Sequence, residues 1–403
     1  MKDYNTFISE NKIDIEMTLP NDVIRIAKEY HNAGKDLFVV GGACRDFIQG
    51  KQPHDYDLVT NALPEESKRI LKDWNVSDEQ GKNFGVLRVY TKDEPSGFEI
   101  AVYRKDISHG RDVKGDEQKV EIGNHITIED DVKRRDITIN SIFYDINKKE
   151  IIDLVGGIED IKNNIIRAVG DPVKRFEEDR LRICRIFRFA ARNNSKIDEK
   201  TTKAIKKDNR LNGISPKDDV SQERIVEEWN KMLDNCKGDT KIFDNYLKLL
   251  EEFNMWSQMF PDVNINKDIL EKGVPSLDNY VLFPILFKND KKGYNYLIQK
   301  IKLPGDVTDH INFFHELCGH LESKYVYFLY KMKQRYHVDD NNIRIYFDYF
   351  GLDKTFIESF IEYSNDPIET RGEEMIKLGF KGKEITNEIE RRETERFENE
   401  YLN

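Results

Sequence analysis

The chain has few cysteines and no long apolar run. The cysteines lie far apart and form no Cys-x-x-Cys pair: Cys44, Cys184, Cys236 and Cys318. This spacing argues against a disulfide framework or a structural zinc site, and it favours a reducing, cytoplasmic environment. A transmembrane helix needs about 18 apolar residues in succession, which the sequence lacks, and residues 1–10 lack the pattern of a signal peptide. We therefore expect no membrane association.

The chain also lacks the excess of positive charge that is typical of nucleic-acid-binding proteins. Its 403 residues include 64 Lys and Arg against 75 Asp and Glu, a net charge of −11. This average is compatible with a local basic surface, because residues 162–192 hold nine basic and four acidic side chains. Since acidic partners are scarce within that segment, we expect its arginines to face phosphate groups.

The pattern of helix and strand signals changes along the chain. Its length corresponds to about two to four domains of 100–200 residues. Before residue 158 the two signals alternate, which predicts a small α/β domain, and after it helices predominate. The predicted helices are 23–30, 45–49 and 64–74, and the predicted strand or mixed segments are 37–40, 55–59, 137–144, 151–154 and a hairpin of 86–90 with 98–103. We expect Trp74, Trp229 and Trp256 to be packing residues.

Two glycines separate the predicted strand 37–40 from the next helix. Gly41 and Gly42 would let backbone N–H groups point at one spot and bind an anion. Asp55 and Asp57 are two apart on the next predicted strand, so their carboxylates share a face. Such a pair repels unless a cation lies between, and Mg²⁺ with substrate phosphates is the natural occupant. Either feature alone fits a plain turn or solvated aspartates; together they predict nucleotidyl transfer.

A second polar segment begins with two arginines. Arg134 and Arg135 could pair with phosphate, and Asp136 or Asn140 could hydrogen-bond ribose hydroxyls. A basic turn before a strand explains this segment equally well.

A third segment carries an acid–base pair and a run of arginines. Asp179 and Arg182 are three apart, which on a helix places them on one face, where they could read the edge of a nucleotide base. An ordinary surface ion pair is the alternative. The run itself consists of Arg182, Arg185, Arg188 and Arg192.

These segments, taken in order, resemble the class II tRNA nucleotidyltransferase and poly(A) polymerase family. The matching stretches within residues 37–233 are GGACRD (41–46), HDYDLVTNALPEE (54–66), RRDITINSIFYD (134–145), IIDLVGGIEDI (151–161), RAVGDPVKRFEEDRLRICRIFRFAAR (167–192) and VSQERIVEEWNKML (220–233), with a weaker echo, LGFKGKEI, at 378–385. The motifs look most like those of CCA-adding enzymes. Residues 236–376 carry no motif that matches.

The resemblance implies an α+β chain, with a DNA-polymerase-beta-like nucleotidyltransferase head at 1–157, an all-α neck at 158–240, and an all-α body and tail at 241–403. It implies two Mg²⁺ ions at Asp55 and Asp57. It also implies further roles: a triphosphate loop at Gly41, Gly42 and Arg45; ribose selection by Arg134, Arg135, Asp136 and Asn140; base recognition by Asp179 and Arg182; a flexible loop with Arg104, Asp106, Gly110 and Arg111; a hinge at Asp153, Gly157 and Asp160; and support from Glu178, Ser221, Glu223, Arg224 and Glu228. From the arginine run itself we expect Arg185 and Arg188 to be nucleotide-binding residues.

The implied activity is addition of C, C and A to the 3′ end of tRNA from CTP and ATP, with release of pyrophosphate. Poly(A) polymerase activity, CC-only or A-only addition, and a catalytically silent RNA-binding protein are the alternatives. The compact interval between Arg104 and Arg134 and the absence of a basic low-complexity tail argue against a poly(A) polymerase. Glu99, on a later predicted strand, is a candidate third carboxylate beside the metals.

Overall fold

The chain is organised as two compact units, residues Met1–Glu228 and Trp229–Asn403. The computed structural model describes residues 12–14, 16–78, 85–106, 120–211, 220–261, 263–288, 290, 293, 304–366 and 370–402. None of the helices described in these ranges is long and apolar enough to cross a membrane. The predicted domain boundaries near residues 157 and 240 stay predictions.

All strands of the described residues lie in the first unit. They are β1 (Lys12–Asp14), β2 (Leu37–Val40), β3 (Asp57–Thr60), β4 (Asn75–Ser77), β5 (Val86–Tyr90), β6 (Phe98–Val102), β7 (Arg104–Asp106), β8 (Val120–Ile122), β9 (Ile142–Asp145), β10 (Glu150–Asp153), β11 (Ile165–Ile166) and β12 (Lys196–Ile197). Eight of them form one mixed sheet in the order β1-β10-β9-β2-β3-β6-β5-β4. Within it only β3 and β6 pair in parallel. The pairs β7–β8 and β11–β12 stand apart.

Helices in the first unit connect and follow the strands. They are α1 (Asn21–Asn32), α2 (Gly42–Ile48), α3 (Pro64–Ile70), α4 (Ile128–Lys133), α5 (Gly157–Lys162), α6 (Pro172–Glu178), α7 (Leu181–Asn193) and α8 (Glu199–Lys207). Helix α9 (Gln222–Cys236) begins in this unit and ends in the second. The α/β expectation for the first part of the chain is therefore confirmed.

The second unit is helical throughout its described residues. Its further helices are α10 (Thr240–Glu252), α11 (Trp256–Met259), α12 (Asp268–Lys272), α13 (Asn279–Leu286), α14 (Gly305–Leu317), α15 (Val326–Tyr336), α16 (Asp340–Tyr349), α17 (Lys354–Asn365), α18 (Gly372–Lys377) and α19 (Lys383–Glu400). Trp229 packs edge-on against Phe243, Trp256 and Phe260. Trp229 and Trp256 are thus core residues, and Trp74 packs against the core of the first unit, so all three are packing residues as predicted.

Strand β2 shows how the sheet is buried on both faces. Successive side chains of a strand point to opposite faces, and all four residues of Leu37–Val40 are buried. Leu37 and Val39 join the core that includes α1, whereas Phe38 and Val40 join a second core with Val132 of α4. Helix α4 is therefore fixed by packing on the sheet, and it presents the two arginines that follow it.

The sheet confirms the predicted hairpin and corrects one detail of the strand that carries the aspartates. Strands β5 and β6 pair antiparallel, with Val89 opposite Phe98. Strand β3 begins at Asp57, so Asp55 precedes the strand instead of lying on it. The predicted sharing of one strand face by the two carboxylates was wrong in this respect.

The segment expected to be a hinge is tightly packed. The Asp153 carboxylate accepts hydrogen bonds from the backbone N–H groups of residues 155–158 and so caps α5. The Asp160 carboxylate accepts one from the Thr138 hydroxyl at 2.6 Å. A Cβ atom on Gly157 would lie 2.4 Å from the Thr138 carbonyl oxygen. Only glycine fits this approach of α5 to the 138–140 turn.

We expect Gly157→Ala to lower the free energy of unfolding by about 2 kcal/mol, because the added methyl group overpacks the contact with Thr138. Gly319→Ala is the matched control, since a Cβ there would have nothing within 4 Å; we expect it to be neutral. Thermal unfolding of the full chain measures both. Equal stability of the two variants would contradict the packing argument.

Candidate functional site

The glycine turn and the paired aspartates lie at the same end of the central sheet. Strand β2 ends at Val40, and Gly41 adopts a φ of 77°, which starts the turn into α2. Val40 is paired with Asp57, the first residue of β3. The register therefore brings the two motifs together, although about fifteen residues separate them in the chain.

Asp55 and Asp57 line one cleft of about 330 Å³, together with Arg88 and Glu99. Because Leu58 pairs with Ile100 in the parallel β3–β6 ladder, Asp57 and Glu99 occupy neighbouring positions. Glu99 forms an ion pair with Arg88, which offsets its charge. The cleft thus concentrates carboxylates at the end of the interior strands β3 and β6.

The surroundings of Asp57 disfavour its negative charge. Desolvation by the surrounding protein, followed by repulsion from Asp55 and then Glu99, raises the Asp57 pKa from 3.8 to about 6. Asp57 is nevertheless partly accessible to solvent. The rise in its pKa therefore comes from the protein atoms and carboxylates that surround its less accessible side. A divalent cation would relieve this repulsion, and carboxylate oxygens are ligands that Mg²⁺ accepts.

The described residues contain no cluster of three or more His, Cys, Asp or Glu side chains arranged to hold a metal. The donor set that this part of the chain supplies is therefore the pair Asp55 and Asp57. Two carboxylates alone fit Mg²⁺, which commonly takes its remaining ligands from substrate phosphates and water. The candidate role of Glu99 as a third carboxylate stays a prediction, and its side chain here binds Arg88.

Arg45 connects the glycine turn to the second polar segment. Its guanidinium is buried and donates to Asp46 and, at 2.6 Å, to the Asn140 side-chain oxygen. It also lies 5.5 Å from the centre of the Phe189 ring. In this structure Arg45 therefore orients Asn140 beside the turn.

A buried carboxylate that the sequence analysis missed holds Arg134 and Arg135. Asp131 is fully buried at the end of α4. Its Oδ1 accepts from Arg134 Nε at 2.8 Å, and its Oδ2 accepts from Arg135 Nε and Nη2 at 3.0 and 2.8 Å. The helical spacings of three and four residues were a usable signal. Burial alone would raise the Asp131 pKa, but the two arginines hold it below its usual value.

Asp136 belongs to a second buried ion-pair chain. Its Oδ2 accepts from Arg185 Nε at 2.7 Å, and Arg185 keeps the Asp136 pKa low against the effect of burial. Arg185 is also 3.8 Å from Glu228, which binds Arg188 at 2.7 Å. The structure thus connects Asp136, which was predicted for ribose selection, with Arg185 of the arginine run, and Glu228 bridges Arg185 and Arg188.

The segment with Asp179 differs from its prediction. Asp179 ends α6 in an extended conformation, and α7 begins at Leu181, so Asp179 and Arg182 do not share one helix. The Asp179 carboxylate accepts from the Leu181 backbone and from Arg224 at 2.7 Å. The expectation of a helical Asp–Arg pair was wrong, because the side chain of Asp179 is used to start the next helix.

Arg182 is buried and bound by other groups. It donates to the Glu178 carboxylate at 2.6 Å and to the Arg134 backbone oxygen at 2.9 Å. One nitrogen lies 3.6 Å from Asp106. Glu178 also pairs with Arg175. These contacts place Arg182 between α6 and the arginine turn that follows α4.

The argument from scarce acidic partners was wrong. Arginines of segment 162–192 find carboxylates in other parts of the chain, at separations of up to 49 residues. These pairs are Arg167 with Asp160 and Asp198, Arg180 with Asp208, Arg185 with Asp136, and Arg188 with Glu228. Tertiary folding supplied the partners that the local sequence lacked, so much of this charge is neutralised inside the unit.

Of the predicted flexible-loop residues, Arg104 and Asp106 lie on β7, which pairs with β8. Gly110 and Arg111 lie outside the described residues. Burial, then the charge of Arg134, lowers the Arg104 pKa to about 10. Among the supporting residues, Glu223 is exposed on α9.

We expect the raised Asp57 pKa to make stability depend on pH. Between pH 3.8 and about 6 the folded protein binds more protons than the unfolded chain, so this group's contribution to stability falls as pH rises. Without Mg²⁺, Asp57→Asn should therefore stabilise the protein by on the order of 1 kcal/mol at pH 7, allowing for solvent screening, and by less as the pH falls toward 4. Urea unfolding across this range measures the difference. A gain that does not change with pH would contradict it.

We expect Glu228→Gln to destabilise the first unit by about 3 kcal/mol, because Arg188 would keep a buried charge without its carboxylate. Glu223→Gln on the same helix is the matched control and should change stability by less than about 0.5 kcal/mol. Urea unfolding measures both. The ion-pair argument fails if the two substitutions cost the same.

Comparisons with known families match two parts of the chain. The family described as the poly A polymerase head domain matches residues 37–167. The family described as a probable RNA and SrmB-binding site of polymerase A matches residues 195–266. The first match contains the glycine turn, both aspartates and the Arg134–Asn140 segment.

Curated relatives carry two kinds of name. A CCA-adding enzyme of Ligilactobacillus salivarius is 38% identical over 208 residues, which are 52% of this chain and 48% of the relative. A poly(A) polymerase I of Escherichia coli O157:H7 is 29% identical over 284 residues, 69% of this chain and 57% of the relative. The chain thus aligns with about half the length of the curated relatives it matches.

Solved structures share the fold over nearly the whole chain. A Bacillus stearothermophilus CCA-adding enzyme in complex with CTP has a TM-score of 0.64 and 22% identity, covering 94% of this chain and 92% of that chain. A CCA-adding enzyme structure with ATP has a TM-score of 0.66 and 20% identity, covering 98% and 93%. These likenesses confirm the predicted head with helical domains after it. By these matches, residues 37–167 belong to the poly A polymerase head family, and residues 195–266 match the RNA-binding family of the same polymerases.

Proposed function

We propose that the chain is a CCA-adding tRNA nucleotidyltransferase. It adds C, C and A to the 3′ end of tRNA from CTP and ATP and releases pyrophosphate. The observation that carries the proposal is the pair Asp55 and Asp57 in one cleft, beside the Gly41 turn, at one end of a nucleotidyltransferase sheet. Relatives named CCA-adding enzymes are 38% identical over 208 residues and 34% identical over 232 residues.

The carboxylates of Asp55 and Asp57 would hold two Mg²⁺ ions. Bound there, the ions would lower the pKa of the tRNA 3′-hydroxyl and neutralise charge on the attacking and leaving oxygens. The raised Asp57 pKa supports this assignment, because the unfavourable charge of the two carboxylates is relieved when a cation binds. In the reaction the 3′-oxygen attacks the α-phosphorus of the nucleotide in line, and the bond to pyrophosphate breaks.

The remaining residues bind and orient the nucleotide. Gly41, Gly42 and Arg45 receive the triphosphate, with Asn140 held beside them by Arg45. Arg134, Arg135 and Asp136 contact phosphate and ribose oxygens, Arg185 and Arg188 add to the nucleotide-binding surface, and Asp179 and Arg182 read the base. Asp179 and Arg182 must exchange partners to do so, because they bind Arg224 and Glu178 in this structure.

Free thiols are consistent with a reducing compartment, and we propose a cytoplasmic location on that basis. The chain's four cysteines are all free, and Cys44, Cys184 and Cys236 are buried.

Poly(A) polymerase activity is the second candidate, favoured by one observation. Relatives with that name align over a longer part of this chain, up to 69%, although at 28–29% identity. The higher identity to CCA-adding enzymes supports CCA addition. Enzymes that add only CC or only A share the same motifs, so they are separated by experiment.

We expect tRNA that lacks its CCA end to gain two C residues with CTP alone, and a single terminal A only when CTP and ATP are both present. A ladder of A residues with ATP alone would instead identify a poly(A) polymerase. Addition that stops after C with both nucleotides would identify a CC-adding enzyme, and A added only to tRNA that already ends in CC would identify an A-adding one. Sequencing gels of the labelled product distinguish these outcomes.

We expect Asp55→Ala and Asp57→Ala each to reduce incorporation on the order of a thousandfold or more, because the charge stabilisation by the metals is lost. Asp73→Ala is the matched control, since Asp73 is exposed and does not line the cleft. Circular dichroism verifies that the variants are folded. Incorporation retained in either cleft variant would defeat the assignment of the carboxylates.

A further inference from the structure

One buried carboxylate holds two arginines of the candidate nucleotide site. Asp131 is fully buried, and each of its oxygens is used by a different guanidinium. Oδ1 lies 2.8 Å from Arg134 Nε and 2.6 Å from Nη2, and Oδ2 lies 3.0 and 2.8 Å from the same two atoms of Arg135. Both arginines are therefore bound side-on, which fixes the plane of each guanidinium.

Other contacts complete the orientation of these arginines. Arg135 Nη1 lies 3.4 Å from the Asn140 backbone oxygen, and the Arg135 guanidinium lies 5.1 Å from the centre of the Phe143 ring. The Arg134 backbone oxygen accepts from Arg182 at 2.9 Å. The group held by Asp131 thus touches the segment predicted for ribose selection and the arginine predicted for base recognition.

The local charge favours an anion. Three cations, Arg104, Arg134 and Arg135, interact with the single negative charge of Asp131. Asp106 is a further carboxylate near Arg104, and it also lies 3.6 Å from Arg182. Without Asp131 the arginines would repel one another and separate, so their close arrangement depends on this buried charge.

We propose that Asp131 is a positioning residue for nucleotide recognition: by fixing Arg134 and Arg135 it sets the preference for ribonucleoside over deoxyribonucleoside triphosphates. The inference rests on the proposed function, in which these arginines contact the nucleotide. Asp131 itself is buried behind them and does not touch the substrate. Asp131 both neutralises the charge of the two guanidinium groups and fixes their orientation, and it is the orientation that we propose sets the preference.

Asp131→Glu separates geometry from charge. It keeps the negative charge but moves the carboxylate outward by one methylene group, which changes how both arginines are held. We expect the ratio of the dissociation constants for dCTP and CTP, measured with Mg²⁺ and without RNA, to fall about tenfold, the effect of one charged hydrogen bond lost to the ribose. A ratio equal to that of the unmodified chain would overturn the proposal, since charge alone would then suffice.

Asp131→Asn and a matched control test how nucleotide binding depends on the negative charge of Asp131. Asp131→Asn removes the charge and should weaken CTP binding as well as discrimination. Asp198→Asn removes a carboxylate that pairs with Arg167 in the same unit, and it should leave both dissociation constants unchanged. An equal loss of discrimination in Asp198→Asn would show a general effect of lost ion pairs and would overturn the proposal.

A measurement on the unmodified chain decides the matter if neither Asp131 variant folds. The Nε–H groups of Arg134 and Arg135 bind a buried carboxylate, so their ¹⁵N-resolved signals should exchange with water far more slowly than that of the exposed Arg25. They should shift more on addition of CTP than of dCTP. Fast exchange, or equal shifts with both nucleotides, would overturn the proposal.

Failure of the proposed function gives a different result. If the unmodified chain binds CTP in preference to dCTP but adds no nucleotide to tRNA, the transferase proposal fails and the role of Asp131 is still measured by the binding ratio. If it adds nucleotides while Asp131→Glu discriminates normally, only the inference on Asp131 fails. If it does not distinguish CTP from dCTP at all, the inference is overturned directly.

Discussion

Burial of arginine side chains is the constraint on which the candidate site depends. A guanidinium group stays charged in a protein interior, so each one placed there needs a carboxylate or several carbonyl oxygens around it. The first unit meets this need with Asp131, Asp136 and Glu228, all of which lie within or at the edge of its interior. Removing Glu228, for example, would leave the positive charge of Arg188 buried without its partner, which costs more stability than replacing both residues by apolar ones would.

Hydrogen bonds made by arginine side chains also connect segments that are far apart in the chain. Arg45 reaches Asn140 from the glycine turn, Arg185 reaches Asp136 from α7, and Arg182 reaches the Arg134 backbone. The triphosphate, ribose and base regions of the proposed site are therefore parts of one hydrogen-bonded structure. In the proposed function, a nucleotide would exchange contacts within this preformed arrangement, which would keep the entropic cost of ordering side chains low.

Charge counts taken from the sequence do not describe the charge on the surface of this protein. At the level of composition, −11 argued against nucleic acid, and the basic segment 162–192 argued for it. The structure shows that neither sum describes the surface, because arginines of that segment are paired with carboxylates from elsewhere. Arg180, Arg182 and Arg188 are buried. A count of charges in a local window overlooks partners that only folding brings near.

Several features could be predicted because they depend on neighbouring residues. Apolar runs on both sides of a turn-forming stretch predicted the β5–β6 hairpin, and the two glycines after a short apolar strand predicted a turn into a helix. The contacts of Asp131 could also have been predicted, since it precedes Arg134 and Arg135 by three and four residues, the spacing of neighbours on a helix. The break between α6 and α7 at Asp179 could not be predicted from the sequence. An aspartate there is compatible with a continuous helix and also with capping the first turn of a new helix, as it does in the structure.

By itself the sequence determined the α/β head with helices after it, the family motifs, and the pairing of two aspartates with a glycine turn. These follow from local periodicity and from short spacings along the chain. Only the tertiary structure decided which carboxylate binds which arginine, that Asp57 heads its strand while Asp55 precedes it, and that Gly157 must lack a side chain. Those facts depend on distances between segments many residues apart, which strand register and helix packing set and which no local spacing contains.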